Sequence, residues 1–373
     1  MYKVLYPKKD ATIYEKHPER NSGVDAIIEI TKFAPGESYS DVTDEFATWD
    51  TTYNSRILME FDLTDLKRQA SAGQFSTASA KYYLNLKACD AKSLNTEYTL
   101  YAYPIAQSWV NGNGNYNDTP EITNGASWKY RDSRYQGSQW NSSSYSHDYA
   151  TEKGGANWYP QYAASQSFSF EEPDVRMDVT KIFKAWMANT IPNNGLILKH
   201  TASAEEDATI YGSLKFFGRE SHTIHLPKLE VFWNSYETYT GTFASKSTIP
   251  ESAVVYAKNI KSVYRVNEKT RMRFAIRAKY ESKSYTTSLR SVTEYRFPTT
   301  TYYSIVDSVT GIPIVDFDTV GTKVEMDANG HYVDIDLTNF MPVRYYKIIF
   351  KVVDAANDTE TIIDNDFNFR VER

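Results

Sequence analysis

Apolar and polar residues alternate with period two through most of the chain, the signature of strands with one buried face. In "RILMEFDL", Ile57, Met59, Phe61 and Leu63 share one side, and Leu58, Glu60 and Asp62 share the other. "KYYLNLKA" sets Tyr82, Leu84, Leu86 and Ala88 against Tyr83, Asn85 and Lys87, and "LPKLEVFW" groups Leu229, Val231 and Trp233. Turn clusters such as "PERNSG" and "TIPNNG" separate these runs. One stretch has a helical period. In "DVTKIFKAWMAN", Val179, Ile182, Phe183, Trp186 and Met187 fall on one helical face, with Asp178 as N-cap and Asn189 and Pro192 closing the segment. The pattern predicts one short amphipathic helix packed on a sheet, with Trp186 in the core.

Beyond Trp233 the run "NSYETYTGTFASKSTIPESA" is polar and rich in Ser and Thr, which reads as a linker over 237–251. Alternation then resumes. "RMRFAIRAKY" places Met272, Phe274, Ile276 and Ala278 opposite Arg271, Arg273, Arg277 and Lys279. "HYVDIDL" follows the hairpin-turn sequence "DANG", and "YYKIIFKV" comes next. The expected class is all-β: a larger β-rich part with one short helix over 1–236, then a smaller immunoglobulin-like β-sandwich over 252–373. No repeat of fixed period links the two parts.

At 373 residues the chain has length for two domains, each able to bury a core. The 41 Lys and Arg are scattered among 47 Asp and Glu with no basic block, so nucleic acid is not an expected partner. Aromatic residues make up 15 %, including 30 Tyr, which favours an ordered β-rich protein over a flexible one. The start, "MYKVLYPKKDATIY", has no apolar h-region and no segment has the length of a membrane span, so folding in a cytoplasm, with no membrane partner, is expected. The lone Cys89 excludes an internal disulfide and a cysteine zinc site, and reads as a small apolar filler in a strand.

Few residues announce chemistry. Of six histidines only "HTIH", His222 to His225, is closely spaced; on a strand those two would point to opposite faces and could not chelate one ion. No nucleophile elbow, Walker loop, dinucleotide fingerprint or zincin motif is present, and no carboxylate pair is marked as a glycosidase pair. No catalytic, cofactor or metal residues are therefore assigned. The acidic stretch "DAANDTETIIDNDF" lacks EF-hand spacing, though an isolated calcium site on a sandwich needs no such motif. The Arg face of "RMRFAIRAK" is either a solvated strand face or a surface for an acidic neighbour in an assembly. The segment from Trp128 to Pro160 is crowded with Trp, Tyr, Ser, Asn and Gly. Its Trp140, Tyr145, Trp158 and Tyr159 are the candidate contacts for a glycan or a protein partner.

An ordered set of landmarks runs through the first part: "DATIYE", "NSG", "SRILMEFDL", "ASAKYYLNL", "YTLYAYPIAQSW", "SWKYRD", "GG", "DVTKIFKAW", "NNGLILK", "LKFFGRES" and "LPKLEVFW". Together they resemble the DNRLRE-type domain, a jelly-roll-like module of bacterial surface proteins and tailed-phage structural proteins. The hexapeptide that names that family is absent, so the resemblance implies an architecture and no catalytic residues. It also implies that Trp128 and Gly154-Gly155 are parts of the fold. The remaining part is similar to C-terminal sandwiches of tailed-phage virion proteins. The expectation is a non-enzymatic virion structural protein of the neck, collar, tail or decoration layer, assembled in the host cytoplasm. Its partners would be further copies of itself and other virion proteins. The alternative is a carbohydrate-binding module of a surface protein or phage fibre.

Overall fold

The computed structural model describes the chain except for residues 34–52, 135–136, 142–153, 170, 207–210, 235–238, 240–252, 281–292, 339 and 355–358. The fold is all-β, built of sandwiches with few helices. It divides into two compact units. One holds Leu5–Thr77 and Lys81–Leu229; the other holds Met1–Val4, Ala78–Ala80 and Glu230–Arg373. Most of the linker segment lies outside the described residues.

The larger unit is organised by an eight-stranded sheet. Its order is Ala164–Ser169, Glu97–Pro104, Leu196–His200, Tyr53–Phe61, Ile27–Phe33, Gly212–Phe217 and Ala88–Lys92, with Pro7–Tyr14 also paired to Tyr53–Phe61. On one face Ile57, Met59 and Phe61 are fully buried. There Phe183 of helix Thr180–Met187 makes edge contact with Phe61 and stacks on Tyr82 of strand Lys81–Leu86, at centroid distances of 6.1 and 5.1 Å. Strand Val175–Asp178 pairs with Lys81–Leu86 in this second layer. The helix starts one residue later than its sequence suggests: Val179 is the N-cap, and Asp178 before it accepts from the Thr180 N–H at 2.9 Å. Val179, Ile182, Phe183 and Trp186 are all buried.

Two expectations change here. Strand Tyr53–Phe61 is buried on both faces: Leu58 is as inaccessible as Ile57, and Arg56 is buried beside it. The single-helix expectation also fails, because helices Thr64–Ser71 and Ala202–Glu206 are present as well. Thr64–Ser71 buries only Leu66 and Gln69, too little to write an apolar stripe. Its start is held by Asp62, whose carboxylate accepts from the Thr64 N–H and hydroxyl at 2.9 and 2.6 Å. Cys89 lies in a strand as expected but is exposed, because Ala88–Lys92 is an edge strand paired on one side only.

The smaller unit is a sandwich of two sheets. One runs Ala253–Ala257, Lys269–Ala278, Gly330–Asp336, Glu325–Asp327; the other runs Val263–Arg265, Thr359–Glu372, Arg344–Asp354, Thr301–Asp307, Pro313–Val315. Phe274 packs edge-on against Phe350 and Phe367 at 4.8 and 5.2 Å, joining the two sheets. The "DANG" sequence makes the hairpin it suggests, with Asp327 paired to Gly330. Among the described residues of these two sheets the strand pairings are antiparallel except that Val263–Arg265 runs parallel to Thr359–Glu372.

Candidate functional site

The Trp-rich excursion between strands Glu97–Pro104 and Ala164–Ser169 begins from a polar clamp. Asn21 is fully buried; its amide nitrogen donates to Asn111 O and Ala126 O, both at 2.8 Å, and its oxygen accepts from the Gly114 N–H at 2.8 Å. Gly112, Gly114 and Gly125 crowd around this amide so closely that a methyl on any of them would overlap Asn21 or its partners. The "NSG" landmark thus works through its Asn, and Ser22 fixes the neighbouring strand by exchanging hydrogen bonds with Thr12.

From the clamp the excursion turns back over the second face of the eight-stranded sheet. Trp109, Trp140, Trp158, Ala126 and Ala156 form one core with Ala11, Ile13, Leu58, Ile105 and Ile197. Trp140 and Trp158 are only 1 % and 3 % exposed. Trp140 Nε1 donates to Ser127 O at 2.9 Å and Trp109 Nε1 to Asn194 O at 2.8 Å, so both indole donors are satisfied within the fold. A sugar-stacking platform needs an open ring face, which Trp140 and Trp158 do not offer. Tyr159 is partly exposed, and Tyr145 lies outside the described residues. The side chains open on this side are Tyr101 and Tyr103, whose rings run parallel at 5.9 Å, beside the exposed Ser165 and Ser167.

Under the excursion lies a charged seam that the sequence reading did not single out. Arg56 Nε and Nη2 donate to the two Glu205 oxygens at 3.0 and 2.8 Å, and Lys199 Nζ pairs with the same carboxylate. The three side chains are 3, 1 and 2 % exposed. The two cations outweigh desolvation and hold the Glu205 carboxyl below its usual range, while burial pushes Lys199 down to about 8. Arg56 Nη1 donates to Gly155 O, and its guanidinium lies 4.5 Å from the Trp128 ring and 5.3 Å from that of Trp158. Trp128 and Gly155 are therefore parts of the fold. The available signal was Arg56 itself, a cation on the same side of its strand as Leu58.

In the smaller unit, Arg271 pairs with Asp334 at 2.8 Å and Arg273 with Asp327 at 2.7 Å, so neighbouring strands neutralise two of the four cations on the Arg face. The "HTIH" residues are not on a strand. His222 follows a short 3-10 turn in left-handed geometry, and His225 stacks on Phe217 at 5.2 Å. Among the described residues no group of three or more His, Cys, Asp or Glu is placed to hold a metal ion.

Exposed apolar side chains gather at one end of the smaller unit's five-stranded sheet. Val309 is 84 % exposed, Val343 65 %, Tyr345 50 % and Val263 41 %. Val263 lies in register with Arg370 and Arg370 with Tyr345, so the three share a face. The Ser308 N–H donates to Tyr345 O at 2.9 Å, which brings the turn bearing Val309 to the same end. Val343 adopts φ +64, costly for a β-branched residue and held by its N–H bond to Val371 O.

No protein-family model and no curated protein matches the chain. Among solved structures, it aligns with a Parabacteroides merdae beta-glucuronidase at 10 % identity and TM-score 0.17, covering 96 % of this chain and 36 % of that one. A second structure of that enzyme, with glycerol in its active site, gives 8 % identity, TM-score 0.16, and coverage of 96 % and 35 %. The chain spans about a third of that enzyme's length. Similarity at this level carries no argument about fold or activity.

Proposed function

We propose that this chain is a non-enzymatic structural protein of the tailed-phage virion kind, a neck, collar, tail or decoration component that works through contacts with further copies of itself and with other virion proteins. The observation that carries the contact-forming part is the patch of Val263, Val309, Val343 and Tyr345. Large apolar side chains this exposed, gathered at one sheet end around a strained Val343, fit a surface that another protein covers. The virion setting rests on the ordered landmarks of the sequence. The test is native mass spectrometry and light scattering on the purified chain, beside the Val309→Asp/Tyr345→Asp variant. Oligomers that the variant fails to form support the reading. A chain that stays monomeric and never joins particles counts against it, and unchanged oligomers in the variant place the contact elsewhere.

A glycan-binding reading keeps one observation, the parallel and partly exposed Tyr101 and Tyr103 next to a serine-bearing edge strand. Glycan-array binding lost in Tyr101→Ala but kept in Tyr345→Asp would favour it. An array with no binding removes it.

A further inference from the structure

At the end of the buried seam, Lys32 and Asn54 from paired strands meet Glu15, which directly follows strand Pro7–Tyr14. Lys32 and Asn54 are directly opposed in the antiparallel pairing of Ile27–Phe33 with Tyr53–Phe61, so their side chains leave the sheet side by side. Lys32 is fully buried and Asn54 is 4 % exposed. Their head groups reach carbonyls of consecutive residues: Lys32 Nζ donates to Ala204 O, and Asn54 Nδ2 donates to Glu205 O at 3.4 Å. Glu15 closes the group, its Oε2 accepting from both Asn54 Nδ2 and the Asn54 backbone N–H at 2.9 Å. The Tyr211 ring lies 5.4 Å from Lys32 Nζ.

The Asn54 amide oxygen is buried and has no hydrogen-bond donor. A cross-strand Lys–Asn pair kept only for stability would satisfy that oxygen, since an orphaned buried acceptor is costly. Here the amide nitrogen is held by a carboxylate while the carbonyl is left open beside a buried amine-bearing chain. Amide exchange requires a nucleophile, an open carbonyl and an acid on the leaving nitrogen, and Lys32, Asn54 and Glu15 carry these three groups.

We propose that Lys32 and Asn54 condense into an intramolecular isopeptide bond joining the two strands, with Glu15 as the proton-transfer residue. The Lys32 ammonium first gives a proton to the Glu15 carboxylate. The Nζ lone pair then attacks Asn54 Cγ, and the carbonyl π pair moves to Oδ1. When the carbonyl re-forms, the Cγ–Nδ2 bond breaks and its electron pair leaves on nitrogen, which takes its protons from Nζ and from Glu15. In sum, the lysine ammonium and the asparagine amide become a secondary amide and one ammonium ion, and Glu15 ends as the carboxylate it began as. Burial, the largest influence on Glu15, lifts its carboxyl above the ordinary range, which suits a residue that must carry the proton during the exchange.

The cross-link is independent of the assembly role proposed above. The test is the intact mass of the denatured full chain, followed by sequencing of its proteolytic peptides. The expected result is a mass lower than the sequence mass by one ammonia, with the Lys32 and Asn54 peptides recovered as a branched pair. Lys32→Arg, Asn54→Ala and Glu15→Gln should each restore the full mass, and Asn54→Asp should lose water instead of ammonia. Wild-type chain at its full sequence mass overturns the proposal. So does an ammonia loss that survives in Lys32→Arg, which would mark cyclisation of an asparagine alone. Complete cross-linking in Glu15→Gln would overturn the role of Glu15.

Discussion

Glu205→Gln tests whether the excursion is fixed to the sheet by buried charge. The carboxylate serves Arg56 through two hydrogen bonds of 3.0 and 2.8 Å and also pairs with Lys199, all within a site less than 4 % exposed. Glutamine keeps the shape and one acceptor but leaves two cations without a counter-charge. Lys199, already pushed down to about 8 by burial, can release its proton. Arg56 is left with one amide acceptor, Gly155 O and the faces of Trp128 and Trp158, and no counter-charge. Breaking a buried pair from one side costs about 3–5 kcal/mol, and the variant should fall in that range.

Urea unfolding followed by tryptophan fluorescence reads this directly, because among the described tryptophans only Trp233 lies outside the larger unit. The Lys199→Met/Glu205→Gln double variant removes one orphan cation and should regain part of the loss, with a coupling that the mutant cycle measures. A loss below about 1 kcal/mol in Glu205→Gln would refute the reasoning, since it would mean that water reaches these groups and that the seam is an ordinary surface pair.

His331 is buried and accepts from the Phe297 N–H at 2.9 Å through Nε2; burial, first among its causes, pushes its pKa down to about 4. The unfolded chain binds this proton near pH 6.5 and the folded chain only near 4, so the smaller unit loses stability as pH falls between those values, by about 3 kcal/mol in full. His331→Gln should flatten that window in pH-dependent urea unfolding. Asp10 has the opposite sign: burial raises it to about 6, so its contribution to the larger unit is lost as pH rises from about 4 to 6. Asp10→Asn, which can still accept the Arg219 N–H, should raise stability by about 2 kcal/mol at pH 7 and change little at pH 4. Gly112→Ala places a methyl on Asn21 Oδ1 at φ +79 and should cost at least about 2 kcal/mol, seen as a lowered midpoint in the fluorescence-detected transition.

The parts of the fold legible in the sequence were those set by local pattern. Helix Thr180–Met187, the Asp327–Gly330 hairpin and the alternating strands each carry their signal within about ten residues. What was not legible depends on residues distant in the chain. Nothing near Leu58 says that Trp140 and Trp158, some eighty to a hundred positions on, will cover it. For the same reason Trp140 and Trp158 read as contact residues: their neighbours in sequence are Ser, Asn and Gly, while their neighbours in space are Ile, Ala and Leu. Helix Thr64–Ser71 has almost no apolar face to detect, and the Glu15, Lys32 and Asn54 group comes from three separate segments of the chain. The strand assumed for "HTIH" is not there, because His222 to His225 form the bend and turn that follow the 3-10 turn Arg219–Ser221.

Burial of both faces also explains why a cation sits at the centre of a hydrophobic structure. Strand Tyr53–Phe61 meets an apolar layer on one side and an excursion rich in backbone polar groups on the other. An aliphatic residue in place of Arg56 could fill space but could not satisfy Gly155 O or the Glu205 carboxylate. Gly155 O would then be orphaned in the interior and Glu205 left with Lys199 alone, at a cost comparable to the desolvation that Arg56 itself pays. The planar guanidinium meets these demands at once: its edge donates to Gly155 O and Glu205 while its faces take up Trp128 and Trp158. A lysine at position 56 would lack that fork, so the seam depends on the shape of the charge as well as on its sign. With Trp128 and Trp158 against Arg56 and Trp140 closed over Leu58, the excursion serves the larger unit as a second wall.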